Sequence, residues 1–237
     1  MPTELENFTN QLHAVWLPAF CSDEKRKFDP IGFRDASITL TEFDASNFLR
    51  AIENGLVRDT GGGRYKCQRS SAHEQIFWEG LKSVEPRPLT LWLEPIITVG
   101  TIARLGLDFG WSDDVLCMQS KDWAFDFVVY QSPTSPIEHI AGEVKTTALQ
   151  CDNLIADLRI YGQTGADEPL SNHPKHINSF KKWQSLLKGR ANLLWVVRPD
   201  DYTHLFEVQY GPEKTANFLK TTLDRLQNRC TDQINPS

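Results

Sequence analysis

The sequence predicts an α/β fold, a mixed central β-sheet flanked by α-helices, with an N-terminal helical and hairpin extension. Two observations carry this. Extended, Val- and aromatic-rich segments at residues 111–120, 123–130, 138–147, 191–197 and 204–210 are interrupted by helical apolar spacing at 152–161 and 174–188. Composition agrees, because 40% hydrophobic and 24% charged residues suit a globular chain and exclude disorder or collagen-like repeats. No run of about 18 apolar residues is present, so a spanning helix and a membrane partner are not expected.

The elements follow in order. Residues 5–17 read as a short helix before a polar turn. Asp44, Ala45, Ser46 and Asn47 offer N-cap candidates for a helix ending near Gly55, with Phe48, Leu49, Ile52 and Leu56 at apolar spacing. Gly61-Gly62-Gly63 separates two short extended pieces, residues 55–59 and 64–68, as in a hairpin. Ser70-Ser71-Ala72-His73-Glu74 is read as opening another helix through Phe77, Trp78 and Leu81. Pro86-Arg87-Pro88 is a stiff break that divides an accessory region, 1–86, from the main domain, 87–237. Residues 89–105 form a strongly apolar helix carrying Glu94 near its start; Pro95 requires that the helix begin there or kink. After the sheet segments, residues 216–226 are expected to close the chain as a helix.

Twenty-five Lys and Arg stand against 31 Asp and Glu, so any polyanion partner depends on where the charges lie rather than on the net −6. Residues 169–199 contain no acidic residue but carry Lys175, Lys181, Lys182, Lys188, Arg190 and Arg198. A second basic stretch, 58–69, holds Arg58, Arg64, Lys66 and Arg69 against Asp59 alone. These stretches are candidates for a phosphate-binding surface; ordinary solvated helix faces are the alternative. The five cysteines, Cys21, Cys67, Cys117, Cys151 and Cys230, are scattered with no Cys-x-x-Cys pair. With no apolar secretion segment at the start, reduced thiols and a cytoplasmic setting are expected, and a structural zinc site is not.

The chemistry concentrates on two segments. In Ile140-Ala141-Gly142-Glu143-Val144-Lys145, strand alternation puts Glu143 and Lys145 on one face and Val144 on the other. Burying such ions costs several kcal/mol each unless they are paired or bind a metal. In Trp123-Ala124-Phe125-Asp126-Phe127-Val128-Val129-Tyr130, Asp126 interrupts an apolar run, with Phe125, Phe127 and Val129 expected on the opposite face. Antiparallel pairing of the two segments sets Asp126 beside Glu143. Two carboxylates and a lysine at one point suit phosphodiester hydrolysis. Hard oxygens hold Mg²⁺ or Mn²⁺, and the ammonium orients a water or meets developing charge.

At these residues the chain resembles the PD-(D/E)XK nuclease superfamily. Its signature is an acidic residue at a strand end followed by Asp/Glu-x-Lys on the next strand, matched here by Asp126 and Glu143-Val144-Lys145. The resemblance covers roughly residues 89–208. It implies a restriction-endonuclease-like core, with Asp126 and Glu143 as ligands of Mg²⁺ or Mn²⁺, the Val144 carbonyl as a further ligand, and Lys145 positioning the nucleophile. Family architecture also places a helix before the strands, often with a carboxylate, for which Glu94 is the candidate; a helix-capping role is the alternative. Phe125 stands where many members have proline, and no Gln-x-x-x-Tyr element follows the motif.

The implied activity is divalent-metal-dependent hydrolysis of DNA, in restriction, defence or DNA processing. Lys175, Lys181, Lys182, Lys188, Arg190, Arg64, Lys66 and Arg69 are then the candidate nucleic-acid contacts. A non-catalytic nucleic-acid-binding or assembly protein on the same fold is the rival, and an unrelated interaction domain with surface Glu143 and Lys145 is the third. Double-strand cleavage would call for a homodimer or for sequential nicking. Asp113-Asp114 reads as a turn, and His173-Pro174-Lys175-His176 as a helix start with exposed imidazoles. Trp92, Trp111, Trp123, Trp183 and Trp195 are expected in the core, with Trp183 beside Lys181 and Lys182 a candidate for stacking on a base.

Overall fold

The computed structural model describes residues 2–24, 26–70 and 72–228. Its centre is a six-stranded mixed sheet in the order β11-β10-β9-β8-β7-β6. The strands are β6 (Leu116–Met118), β7 (Phe127–Tyr130), β8 (Glu138–Val144), β9 (Leu193–Val197), β10 (Thr203–Tyr210) and β11 (Ala216–Lys220). Only β8 and β9 run parallel, their connection being made by helices α5 (Ala148–Thr164) and α6 (Pro174–Gly189). All other neighbours are antiparallel. The α/β expectation of a mixed sheet flanked by helices is met.

The sheet separates two apolar layers. On one side Phe127, Val129, Ile140, Val144 and Trp195 pack with helices α3 (Glu42–Glu53) and α4 (Leu93–Ala103) and with Phe8, Leu12 and Trp16 from the chain start. On the other, Val128, Ala141, Leu194 and Val196 pack against Leu154, Leu158 and Tyr161 of α5 and against Trp183 and Leu186 of α6. Alternation along β8 therefore sends Val144 into the first layer and leaves Glu143 on the α5/α6 side. Gly142 lets β8 pass β7 closely, since a Cβ there would stand 1.9 Å from the Phe127 ring.

Several expectations need correction. The first helix continues past residue 17, through a π-helical turn at Leu12–Trp16 into α2 (Leu17–Cys21). The cap of α3 is Thr41, whose hydroxyl accepts from Asp44 N at 3.1 Å, so Asp44 lies inside the first turn. The described residues between 70 and 81 are not helical. They contain β3 (Glu74–Gln75), paired with β2 (Arg64–Lys66) of the expected glycine hairpin with β1 (Arg58–Asp59), and β4 (Phe77–Glu79), paired with β5 (Leu89–Leu91). These tertiary partners outweigh a local pattern that suited a helix. Residues 89–91 thus leave the apolar helix, which starts at Leu93 and holds Glu94 and Pro95 in its first turn, where proline is tolerated.

Residues 216–220 form edge strand β11 rather than a helix; only Leu223–Leu226 turn helically, as a 3₁₀ segment. The deciding signal is the turn between Tyr210 and Ala216, which includes positive φ at Glu213 and Lys214 and returns the chain along β10. Phe125 does not share a face with Phe127 and Val129. It lies before β7 begins and packs in the α5/α6 layer. Cys21, Cys67, Cys117 and Cys151 are free thiols, whereas Cys230 lies outside the described residues. No helix among the described residues is long and apolar enough to cross a membrane.

Candidate active site

Asp126 sits immediately before β7, opposite Glu143 at the end of β8. Its backbone N donates to Gly142 O at 3.0 Å, continuing the ladder by one residue. Its carboxylate then turns along the neighbouring strand, where Oδ2 accepts from Val144 N at 2.8 Å. Burial first, and the Glu143 charge second, push the Asp126 carboxyl up to about 8. Without a cation this group holds its proton at neutral pH.

Glu143 is 2% exposed and is gripped by two ammonium groups. Lys145 Nζ lies 2.5 Å from Oε1, and Lys182 Nζ of α6 lies 2.7 Å from Oε2. The latter contact pairs charges without hydrogen-bond alignment, so Oε2 stays buried with no hydrogen bond. Lys182 spends a proton instead on Ala124 O. Lys145 also donates to the Val144 carbonyl at 2.9 Å and stands 3.9 Å from Glu94 Oε1. Burial acts to lower the Lys145 ammonium, but the charges of Glu143, Asp126 and Glu94 outweigh it and the pKa is raised. Lys145 is a fixed cation and not a proton acceptor. The Glu94 carboxyl is raised, chiefly by burial, with Lys145 opposing.

The donor set fits a hard divalent ion in kind. Asp126, Glu143 and the Val144 carbonyl are oxygens, and the buried Glu143 Oε2 lacks a hydrogen bond. Among the described residues no three of His, Cys, Asp and Glu converge as a ready cage. Two carboxylates and a carbonyl leave the remaining positions to water, as Mg²⁺ prefers.

The site opens into a cleft of about 510 Å³ between α5 and α6, bordered by Trp123 and Ala124 and with Glu143 and Lys145 in its wall. Gln150, Asn153, Leu154 and Asp157 line it from α5, and Lys175, Asn178, Ser179, Lys181 and Lys182 from α6. The α5 set, and the α6 set apart from Lys181 at its edge, fall at i, i+3, i+4, i+7, a single helical face. That spacing is visible in the sequence and is the signal by which the cleft walls could have been found.

Of the basic residues expected at a nucleic acid, Lys175, Lys181 and Lys182 reach this cleft. The others do not form one surface with it. Lys188 lines a separate cavity with Arg69 and Glu138. Arg190 ends α6 in a left-handed conformation and covers the Tyr210 ring at 4.6 Å. Arg69 donates to the Ser132 and Ser135 carbonyls and lies 3.6 Å over Tyr130, a structural post. Arg64 and Lys66 lie half-buried on β2, and the Arg64 Nε is buried without a partner.

Trp183 is fully buried and offers no stacking face, whereas Trp123, expected in the core, is 67% exposed. His176 is not exposed either, since its Nδ1 meets buried Asp157 of α5 at 2.9 Å and ties the two helices together. No protein-family model, curated protein or solved structure matches this chain.

Proposed function

We propose that the chain is a divalent-metal-dependent nuclease that hydrolyses DNA phosphodiester bonds on a restriction-endonuclease-like core. The observation that carries the reading is the hydrogen bond from Val144 N to Asp126 Oδ2 at 2.8 Å. It brings the two acidic strand ends together, with Lys145 2.5 Å from Glu143, at the wall of an open cleft. The order of elements supports it as well: helix α4, three antiparallel strands, helices, then a strand parallel to the third.

Asp126, Glu143 and the Val144 carbonyl would hold the ion, which supplies charge neutralisation and a more acidic water. Asp126 must lose its proton to serve, so ion binding releases one and strengthens as pH rises toward 8. Lys145, held cationic, orients the attacking water and meets negative charge on the phosphate oxygens. Lys182 holds the Glu143 carboxylate at the cleft by pairing with Oε2. Lys175 and Lys181 draw the flanking phosphates in.

One observation favours a second reading. Two internal ammonium groups already balance Glu143, which would suit a retired site in a DNA-binding protein. Plasmid nicking across Mg²⁺ and Mn²⁺ concentrations, with calorimetry of ion binding, separates the two. The nuclease reading expects Asp126→Ala to lose ion binding and cleavage, and Lys145→Ala to lose cleavage while keeping most ion binding. Full nicking by either purified variant would end it, and wild-type protein giving neither heat nor nicks would favour the retired site.

A further inference from the structure

The backbone of the rim residue Trp123 closes a turn, its N donating to Ser120 O at 2.9 Å, but its side chain is turned outward. Its indole is 67% exposed and makes no aromatic or cation–π contact with another described residue. Its backbone sits at φ +61°, a conformation that a bulky side chain adopts only against a steric cost. Both features are unfavourable for an isolated surface residue, and both place the ring at the cleft that holds Glu143 and Lys145.

The rest of the cleft is equally specific in kind. Asn153 and Asn178 present amides, each able to donate and accept, Gln150 adds amide donors while its Oε1 accepts from Thr146 Oγ1 and Thr147 N at the start of α5, and exposed Lys175 and Lys181 present ammonium groups. A flat aromatic face, amides that match base edges, and cations for phosphate are the three components of unpaired-nucleotide recognition. The volume of about 510 Å³ lies within the range of small-ligand sites. In an intact duplex the base faces are covered by their neighbours, so an indole at this rim would have nothing to stack on.

Building on the nuclease reading of the same cleft, we propose that it takes an unpaired deoxynucleotide, with the base stacked on Trp123 and the adjoining phosphates on Lys175 and Lys181. The substrate is therefore single-stranded DNA, or duplex DNA with a nucleotide out of the stack.

The test is fluorescence anisotropy of a labelled oligo-dT of about 15 nucleotides against the matching dA·dT duplex, at one fixed salt concentration with Ca²⁺ in place of Mg²⁺. The single strand should bind about 10-fold tighter than the duplex. Trp123→Ala should weaken single-strand binding roughly 5- to 150-fold, the span of one base–aromatic stack, and Trp123→Phe should restore most of it. Duplex binding should change less than about 2-fold in either variant. Circular dichroism checks folding, which an exposed position should not disturb. Equal single-strand affinity in Trp123→Ala and wild type, or preference for the duplex, would overturn the proposal. Trp123-dependent single-strand binding without cleavage in Mg²⁺ or Mn²⁺ would keep it while removing the nuclease reading. Cleavage of the single-stranded oligonucleotide in Mg²⁺ or Mn²⁺ at a rate untouched by Trp123→Ala would do the reverse.

Discussion

Replacing Asp126 with asparagine should stabilise the ion-free protein at alkaline pH and change it little in acid. The Asp126 carboxyl rises from 3.8 to about 8, first through burial and then through Glu143. A carboxyl raised in the folded state keeps its proton after the unfolded chain has released its own. Wild-type stability on this account falls as pH climbs from the unfolded toward the folded pKa, and is flat above it. At 1.36 kcal/mol per pKa unit, this one group removes on the order of 4 kcal/mol between about pH 5 and pH 8. Asparagine retains an oxygen to accept from Val144 N and carries no charge, so the variant escapes the loss.

Glu138, raised to about 7 by burial and then by Asp122, falls in the same direction in both proteins, as do Glu74 and Glu94. His139 and His204, lowered chiefly by burial, act in the opposite direction. All of these largely cancel in the difference between variant and wild type. Urea unfolding followed by tryptophan fluorescence in EDTA, repeated across pH, measures that difference. It should grow by roughly 4 kcal/mol from about pH 5 to pH 8. A difference that stays flat would refute a buried, proton-holding Asp126. Added Mg²⁺ should then stabilise wild type and not the variant.

Other expectations follow from the same geometry. Lys145→Ala should lower the cleavage rate about 10²- to 10³-fold, measured by plasmid nicking. The remaining pH dependence of the wild-type rate should rise toward pH 8 with Asp126 and show no titration of Lys145. Gly142→Ala should cost about 3 kcal/mol in urea unfolding, because its Cβ would meet the buried Phe127 ring at 1.9 Å; a loss under about 1 kcal/mol would contradict the close strand approach. Arg69→Ala should cost about 2 kcal/mol of stability through its two carbonyl hydrogen bonds and the Tyr130 contact, yet leave oligonucleotide affinity within about 2-fold.

Period-two alternation was readable where both faces of a strand are constrained. Glu143 and Lys145 against Val144 could be assigned to faces from spacing alone, because β8 is central and its second half, Ile140–Val144, is buried. The same rule misled at Phe125, where the chain is not yet a strand and positive φ at Trp123 has reset the direction of the side chains. Short strands such as β3 and β4 were illegible, since what makes them strands is their partners at Arg64–Lys66 and Leu89–Leu91. Lys182 was visible as charge but not as a partner of Glu143. Net charge along a segment says nothing of the face on which a helix presents it, and α6 turns Lys182 toward the site while sending Lys188 to another cavity.

The N-terminal region bears on the site through the loop that carries Asp126 and Trp123. Met118 N donates to Ser70 Oγ at 2.8 Å, and Gln119 Nε2 donates to Glu74 Oε1 at 2.6 Å. Gln119, itself at φ +63°, donates its backbone N to Asp126 O at 2.7 Å. Ser70 and Glu74 thus hold the start of the loop, and β8 holds its end. Glu74 is 7% exposed, and a buried carboxylate engaged by a single amide is a costly choice for stability alone. Its carboxyl is raised first by burial and further by Glu94, which places its field within reach of the site. Glu74→Gln keeps an acceptor for Gln119 and removes that field, whereas Glu74→Ala removes both. If Glu74 serves only to pin the loop, the glutamine variant should nick as wild type does and the alanine variant should not. Loss of Mg²⁺ affinity in the glutamine variant would instead make Glu74 part of the electrostatics of the ion site.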